Sequence, residues 1–218
     1  GAECWLLVPP RTPVCGCQRA LGTLTAADRG GTAVTAALGR SDPAEVQEVL
    51  MGGVLPAGQG QAPARQAGFK AGLGEEVPAT TLNKMCGSGM KAAMMAFDQI
   101  ALGQTDVMVA GGMESMTHAP YLVPKMRNGA RLGHAEMLDH MFFDGLEDAY
   151  EKGRLMGTFA EDCAERFQFT RETPADYALA SLSRAIQPPE CGPSARGIPP
   201  AEGTASRGRT TARRPRDP

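Results

Sequence analysis

The apolar positions between residues 46 and 112 follow two periods, one typical of strands and one typical of helices. The runs VQEVLMGGVL, VPATTLN and TDVMVAGG are short and bounded by turn residues, which predicts three strands. Between the first two, APARQAGFKAGLG predicts a short helix with Pro63 near its first turn and Gly72 and Gly74 at its end. A strand, a helix and a further strand in so short a length indicate a βαβ unit, with TDVMVAGG as a buried parallel strand. The predicted fold class is α/β.

The stretch TTLNKMCGSGMKAAMMAFDQIALG, from Thr80 to Gly103, changes period in its middle. Its first residues continue a strand, and a helix is predicted to begin at or just after Cys86. Gly103 then ends that helix. The predicted apolar stripe of the helix consists of Met90, Ala93, Met94, Phe97, Ile100 and Ala101.

After Gly112 the strand pattern gives way to a methionine-rich and glycine-rich segment. We interpret it as an excursion from the sheet, built from loops and short helices. It leads into TPADYALASLSRAIQ, where Thr173 is the predicted N-cap, Pro174 the first helical residue and Asp176 the acid of a capping-box-like arrangement.

The two ends of the chain differ in composition and residue pattern from the segment between them. Within residues 1–45, LTAADRGGTAVTAALGR has helical spacing, but Gly30 and Gly31 lie inside it, and we interpret this region as partly aberrant. From Pro188 onward, prolines and arginines dominate, which predicts a disordered basic tail. The alternative is a basic arm for nucleic acid or an acidic partner. The predicted divisions are a core (1–114), a segment of loops and short helices (115–187) and the tail (188–218).

Composition narrows the function classes. The 218 residues are 42% hydrophobic and carry a net charge of −2, so no whole-chain field favours nucleic acid. We find no apolar run long enough to span a membrane. The six cysteines are irregularly spaced, which predicts reduced thiols and a cytoplasmic location. Cys15 and Cys17 lack a second ligand pair, so we predict no metal site.

Cys86 is the candidate nucleophile because of its place at the strand–helix junction. Free N–H groups and the positive end of the helix dipole stabilise a thiolate there, and the thiolate is the reactive form. Lys84 could add to this effect, and Gly87 and Gly89 leave room for an acyl group beside the sulfur. The alternative interpretation is that Cys86 is a small core residue.

Two motifs carry a family resemblance. LNKMCGSGMKA, followed by VMVAGGMESMTHAPY, resembles the thiolases, the family of acetyl-CoA C-acetyltransferases and 3-ketoacyl-CoA thiolases. The likeness is continuous from about Glu45 to Gln187 and patchy before that. It implies the first half of a thiolase fold, a layered βαβαβ unit with an inserted loop domain.

The resemblance also implies site residues and a reaction. Cys86 corresponds to the acylated nucleophile, Met156 and Gly157 to the lining of the acyl and pantetheine pocket, and Leu146 to a stretch near the acyl group. The substrates are acyl-CoA and coenzyme A, condensed or cleaved through a thioester on cysteine. No metal or further cofactor is implied, and the family forms homo-oligomers.

The departures from the family pattern concern its second half. A thiolase takes a base histidine, a second acid/base cysteine and an oxyanion-holding asparagine from there, and we find no counterpart for them in these residues. We therefore expect a fragment that is not competent for turnover. The alternative is a non-catalytic half-domain that binds acyl-CoA or associates with another subunit.

Overall fold

The computed structural model describes residues 4–5, 9–13, 17–18, 20–39, 41–186, 199, 201–205 and 208–212, the last two ranges by their backbone. Within these ranges the chain forms five α-helices: α1 (Ala26–Leu38), α2 (Pro63–Lys70), α3 (Ser88–Ala101), α4 (Met156–Arg166) and α5 (Glu172–Ile186). The described strands are β1 (Glu48–Gly52), β2 (Ala79–Leu82), β3 (Met108–Gly112), β4 (Tyr121–Leu122), β5 (Leu138–Asp139), β6 (Ala201–Ala205) and β7 (Gly208–Ala212).

A three-stranded parallel sheet forms the centre of the fold. Its order is β2–β1–β3, with Val49 opposite both Ala79 and Val109. The α/β prediction and its three strands are therefore confirmed. Strand β1 is buried along most of its length, whereas β3 is only half-buried, which differs from the buried strand that was predicted. Among the strands that the structure describes, β3 has a neighbour on one side only.

The side chains of β1 alternate between two apolar layers, as the pleat of a strand requires. Val49 and Met51 belong to the core on the face covered by α1 and α2. Leu50 points to the opposite face, where it packs with Ala92 and Ala96 of α3. The sheet is thus sandwiched between two helical layers, and α3, the helix that follows Cys86, packs on β1 and β3.

Helix α1 corrects the interpretation of the glycine-interrupted segment. It begins with a capping box in which the Thr25 and Asp28 side chains each bond the other residue's backbone N–H. A Cβ on Gly30 would lie 2.6 Å from Met113 Sδ, and one on Gly31 would lie 2.7 Å from Lys70 Cβ. The two glycines therefore allow α1 to pack closely on α2 and on the end of β3.

Two helices differ from their predicted details. The predicted stripe of α3 does not face the sheet: Met90 is 73% exposed and Phe97 is 52% exposed, while the buried residues are Ser88, Ala92 and Ala96. Helix α5 begins at Glu172, so Thr173 is inside its first turn and is not the N-cap. Pro174 is tolerated there because N–H groups in the first turn have no intrahelical acceptor.

The segment after β3 is an excursion of short elements. A small antiparallel pair, β4 with β5, precedes a π-helix at Phe142–Leu146. In the predicted tail, β6 and β7 pair as an antiparallel hairpin, which differs from the irregular structure expected there. Threonine favours extended backbone, but an isolated two-stranded hairpin is only marginally stable in water. The rest of the predicted tail, apart from residue 199, lies outside the described residues.

Candidate functional site

The predicted nucleophile lies at the carboxyl edge of the parallel sheet. Strand β2 ends at Leu82, and α3 begins six residues later at Ser88, so Cys86 is two residues before the helix, as predicted. Its side chain is exposed, which excludes the alternative that it is a core residue. The carboxyl edge of a parallel sheet is where ligands bind in open α/β folds.

Hydrogen bonds fix the turn that holds Cys86. The buried Ser88 hydroxyl donates to Met85 O at 2.5 Å and accepts from Lys84 N at 2.9 Å, so it joins both residues that precede the cysteine. Asn83 Oδ1 accepts from Met85 N at 2.8 Å. Met85 has φ of +51°, a conformation that is uncommon outside glycine. The turn is therefore sharp and held in place by side chains.

Close backbone contacts place the start of α3 directly on the sheet. A Cβ on Gly52, the last residue of β1, would lie 2.4 Å from the Ser88 carbonyl carbon. A Cβ on Gly112, the last residue of β3, would lie 3.1 Å from Gly89 Cα. Glycine at these strand ends is therefore required for the helix to begin where it does.

The loop that follows β1, Gly53–Gln59, is held from two sides. Asn83 Nδ2 donates to Val54 O at 3.3 Å, which ties this loop to the Cys86 turn. The Glu114 carboxylate accepts from Val54 N at 2.6 Å and from Leu55 N at 3.4 Å. Glu114 belongs to the glycine-rich motif after β3, so this motif organises the neighbouring strand end.

Arg29 of α1 joins Glu114 to the segment that precedes α1. Its guanidinium donates to Glu114 O at 3.1 Å and to Leu21 O at 2.6 Å. Nearby, the buried Ser115 hydroxyl donates to Leu24 O at 3.2 Å and lies 2.9 Å from His118 Nδ1. Ser115 is therefore occupied in joining two segments.

The other predicted site residues lie on two adjoining segments. Leu146 is the last residue of the π-helix and is half-buried, whereas Met156 and Gly157 begin α4 and are exposed. An antiparallel bridge pairs Glu147 with Leu155, so the adjoining residues Leu146 and Met156 lie close together. On the other side of Leu146, a Cβ on Gly145 would lie 3.3 Å from Leu55 Cδ2. Contacts through the Gly53–Gln59 loop thus join this segment to the Cys86 turn.

Residues 147–155 form a closed loop that presents the start of α4. Glu147 Oε1 accepts from Gly153 N at 2.5 Å, and Asp148 N donates to Arg154 O at 2.8 Å. The N–H groups of Glu151 and Tyr150 hold the pKa of the Asp148 carboxyl below its ordinary value. Arg154 in turn pairs with Glu151 and Asp162 and lies over the Phe159 ring.

The described residues offer no second candidate site, either as a metal centre or in the open groove along α4. In the described residues, no cluster of three or more His, Cys, Asp and Glu side chains could hold a metal ion. A groove of about 490 Å³ runs along α4 and the residues after it. Glu161, Asp162 and Glu165 line it, and these acids would repel an anionic coenzyme.

Several of these residues were missed from the sequence. Ser88 and Glu114 lie inside the motifs quoted above, so the motifs pointed to their positions. No local pattern indicated which residues they bind. Glu114 binds amides about 60 residues earlier, and such pairing follows from sheet topology that a single sequence does not give.

Comparison with known proteins identifies the family. The model of the thiolase N-terminal domain matches residues 8–215. The chain belongs to the thiolase family. This confirms the resemblance, and the match includes most of the region interpreted as aberrant and most of the predicted tail.

Individual relatives of this thiolase domain are acetyl-CoA acetyltransferases by name. It is 49% identical over 201 residues to acetyl-CoA acetyltransferase 2 of Arabidopsis thaliana, covering 91% of this chain and 50% of that protein. It is 45% identical over 189 residues to the Candida albicans acetyl-CoA acetyltransferase, covering 82% and 47%. The Cupriavidus necator enzyme of the same name is 45% identical over 177 residues, covering 80% and 45%. The chain spans about half the length of these relatives.

In the described part of this thiolase domain, no helix has the length and apolar character needed to cross a membrane. The described cysteines Cys4, Cys17, Cys86 and Cys163 are all free thiols. Cys15 and Cys191 lie outside the described residues.

Proposed function

We propose that this chain carries the nucleophilic half of an acyl-CoA acyltransferase site, in which Cys86 accepts an acyl group from acetyl-CoA. The observation that supports this is the strand–turn–helix junction, which exposes Cys86 at the carboxyl edge of the sheet. The names of the relatives support acetyl-CoA as the donor.

The proposed step is a transthioesterification. The deprotonated Cys86 Sγ attacks the thioester carbonyl carbon, a new C–S bond forms, and the bond to the coenzyme A sulfur breaks. The coenzyme leaves as a thiolate and takes up a proton equivalent to the one that Cys86 lost. Ser88 N donates to Met85 O at 3.0 Å. The other first-turn N–H groups of α3 have no intrahelical acceptor and are suited to stabilise the developing oxyanion.

The step is proposed to be slow in this chain. Among the residues that the structure describes, no group makes a hydrogen bond with Cys86 Sγ, so a base to remove its proton is not in place there. Loss of a general base typically costs about 10²–10⁴-fold in rate. The proposed product is therefore a stable acyl-enzyme, formed without a complete catalytic cycle. Four free thiols fit a reducing, cytoplasmic setting.

Intact-mass measurement tests this proposal. After incubation with acetyl-CoA, we expect one acetyl group per chain, mapped to Cys86 and removed by hydroxylamine. Cys86→Ala should abolish the modification. Cys163→Ala is the matched control, because Cys163 is also exposed but lies within α4, and it should behave like the unmodified chain. Equal acetylation of Cys163 and Cys86 would show that the junction confers no nucleophilic role.

A further inference from the structure

Among the described residues that connect the Cys86 turn to Leu146, His140 has the most deeply buried ionisable side chain. The residue is 3% exposed, although it follows directly after the short strand β5 in an otherwise open segment. Burial of a polar ring is costly unless its nitrogens are hydrogen-bonded, so its contacts indicate what it does.

Both ring nitrogens of His140 have partners, and these partners lie on different segments. Nε2 accepts from Ala57 N at 3.3 Å, and Nδ1 lies 2.6 Å from Asp144 Oδ2. Since Nε2 is the acceptor, the ring proton is on Nδ1 and is donated to the Asp144 carboxylate. The His140 backbone N–H donates to Pro120 O at 3.1 Å. One residue thus joins the loop after β1, the end of the motif after β3, and the π-helix.

The loop that His140 holds is the same loop that contacts the Cys86 turn. Asn83 donates to Val54 O on one side of this loop, while Ala57 donates to His140 on the other. Between them, Leu55 is 3% exposed and touches the position of Gly145. The ring contact therefore ties the π-helix to the same loop that contacts the Cys86 turn.

We propose that His140, oriented by Asp144, is a positioning residue that holds the π-helix Phe142–Leu146 against the Gly53–Gln59 loop as a wall for the acyl group on Cys86. This role rests on the proposed acyl transfer to Cys86. It needs no contact between His140 and the substrate. The wall fixes the direction from which a thioester approaches the sulfur, and a displacement of about 1 Å in such geometry costs on the order of 10²-fold in rate.

Three variants separate this role from simple packing. His140→Phe keeps an aromatic ring but loses both hydrogen bonds, and His140→Gln keeps an acceptor for Ala57 N. Asp144→Asn leaves the imidazole in place, and its side-chain site is 43% exposed, so packing is retained. His134→Phe is the matched control, because His134 is an exposed histidine of the same segment.

The experiment measures acetyl transfer to Cys86 over a range of acetyl-CoA concentrations in the full 218-residue chain, beside alkylation of Cys86 by iodoacetamide. For His140→Phe we expect the maximal acyl-transfer rate to fall by about 10- to 100-fold, with the half-saturating concentration little changed. Alkylation by the small reagent should stay within about twofold, because it does not need the wall. His140→Gln should recover most of the rate, and His134→Phe should match the unmodified chain.

Amide exchange gives a second readout that does not depend on activity. His140→Phe should lose protection at Ala57, whereas His134→Phe should not. If His140→Phe unfolds, so that all its cysteines are alkylated equally fast, a reduced acyl-transfer rate in Asp144→Asn decides in favour of the role. Unchanged acyl transfer in Asp144→Asn and in a folded His140→Phe would overturn the positioning role alone. No acyl transfer in the unmodified chain would overturn the proposed function and this role with it.

Discussion

At the scale of single residues, the reactivity of Cys86 depends on the groups that hold it. Ser88 makes two hydrogen bonds to the residues immediately before the cysteine, and its hydroxyl lies in a buried position beside Gly52. The left-handed Met85 is held by Asn83 and by the same serine. The position of the sulfur relative to α3 is thus set by side chains that do no chemistry themselves.

Replacement of Ser88 should therefore change both stability and reactivity. Ser88→Ala leaves Lys84 N–H without its partner and removes one of the two hydrogen bonds to Met85 O, which keeps the bond from Ser88 N. The unpaired N–H should cost about 1–3 kcal/mol of unfolding free energy. The relaxed turn should also move Cys86 from the helix N-terminus, so that iodoacetamide alkylates it about two- to fivefold more slowly. Urea denaturation and timed mass mapping measure the two effects.

Ser115→Ala is the control for this prediction. Ser115 is also buried and hydrogen-bonded, but its bonds reach Leu24 and His118 instead of the Cys86 turn. It should lose similar stability while alkylation of Cys86 stays unchanged. A similar decrease in alkylation rate in both variants would mean that stability alone governs the thiol.

The sequence predicted the place of Cys86 but not its supports. A change from strand to helix period is a local signal, and it located the junction correctly. The amides that Glu114 and His140 bind lie about 60 and 83 residues away, and no local pattern encodes these two contacts. The position of Leu146 near the site was implied by family resemblance and not by any period in the chain.

At the scale of elements, the structure shows where local rules were overridden by packing. Gly30 and Gly31 lower the helix propensity of their segment, yet α1 forms there. Packing accounts for the two glycines, because a larger residue would collide with α2 and with the end of β3. In α3, the small residues Ala92 and Ala96 face the sheet and the larger ones face outward. The hydrophobic pattern predicted the opposite face of α3. Hydrophobicity takes no account of the distance between helix and sheet, and here α3 lies too close to the sheet for methionine.

The capping box of α1 makes part of the stability dependent on pH. Burial of the Asp28 carboxyl opposes its ionisation, but hydrogen bonds from Lys70 and Thr25 outweigh burial and hold its pKa below the ordinary value. Lys70 Nζ lies 2.6 Å from Asp28 Oδ1, so the carboxylate also joins α1 to α2. A lowered pKa means that this contribution is complete above the ordinary value, about 3.9, and is lost as the pH falls through the folded-state value.

We therefore expect Asp28→Asn to lose about 0.5–1 kcal/mol of unfolding free energy at neutral pH, the scale of exposed ion pairs and helix caps. The difference from the unmodified chain should shrink as the pH falls below about 4. Urea denaturation at a series of pH values measures it. Asp98→Asn is the control, since Asp98 is exposed on α3 and forms no ion pair in the described part of the chain. A difference that is constant with pH would contradict the linkage.

At the scale of the whole molecule, the described elements divide into a packed core and weakly supported outer helices. The sheet with α1, α2 and one face of α3 buries both apolar clusters. Helices α4 and α5 contain no buried residue, and Leu179 and Ile186 of α5 are more than half exposed. The Cys86 turn belongs to the packed part, while Met156 and Gly157 belong to the outer part. We infer that the candidate nucleophile is better ordered than the candidate coenzyme-binding surface at the start of α4.

This division predicts acylation without turnover. A complete cycle needs a base for Cys86 and an acid/base for the second substrate, and in the described residues Cys86 has no hydrogen-bonded partner. Loss of a base typically costs about 10²–10⁴-fold, which would place the rate below the background of a coupled assay. We expect no thiolysis of acetoacetyl-CoA and no condensation of acetyl-CoA by this chain, with a full-length acetyl-CoA acetyltransferase as the positive control. Turnover that Cys86→Ser abolishes would contradict the prediction, because it would mean that the chain supplies a base from residues the structure does not place at the sulfur.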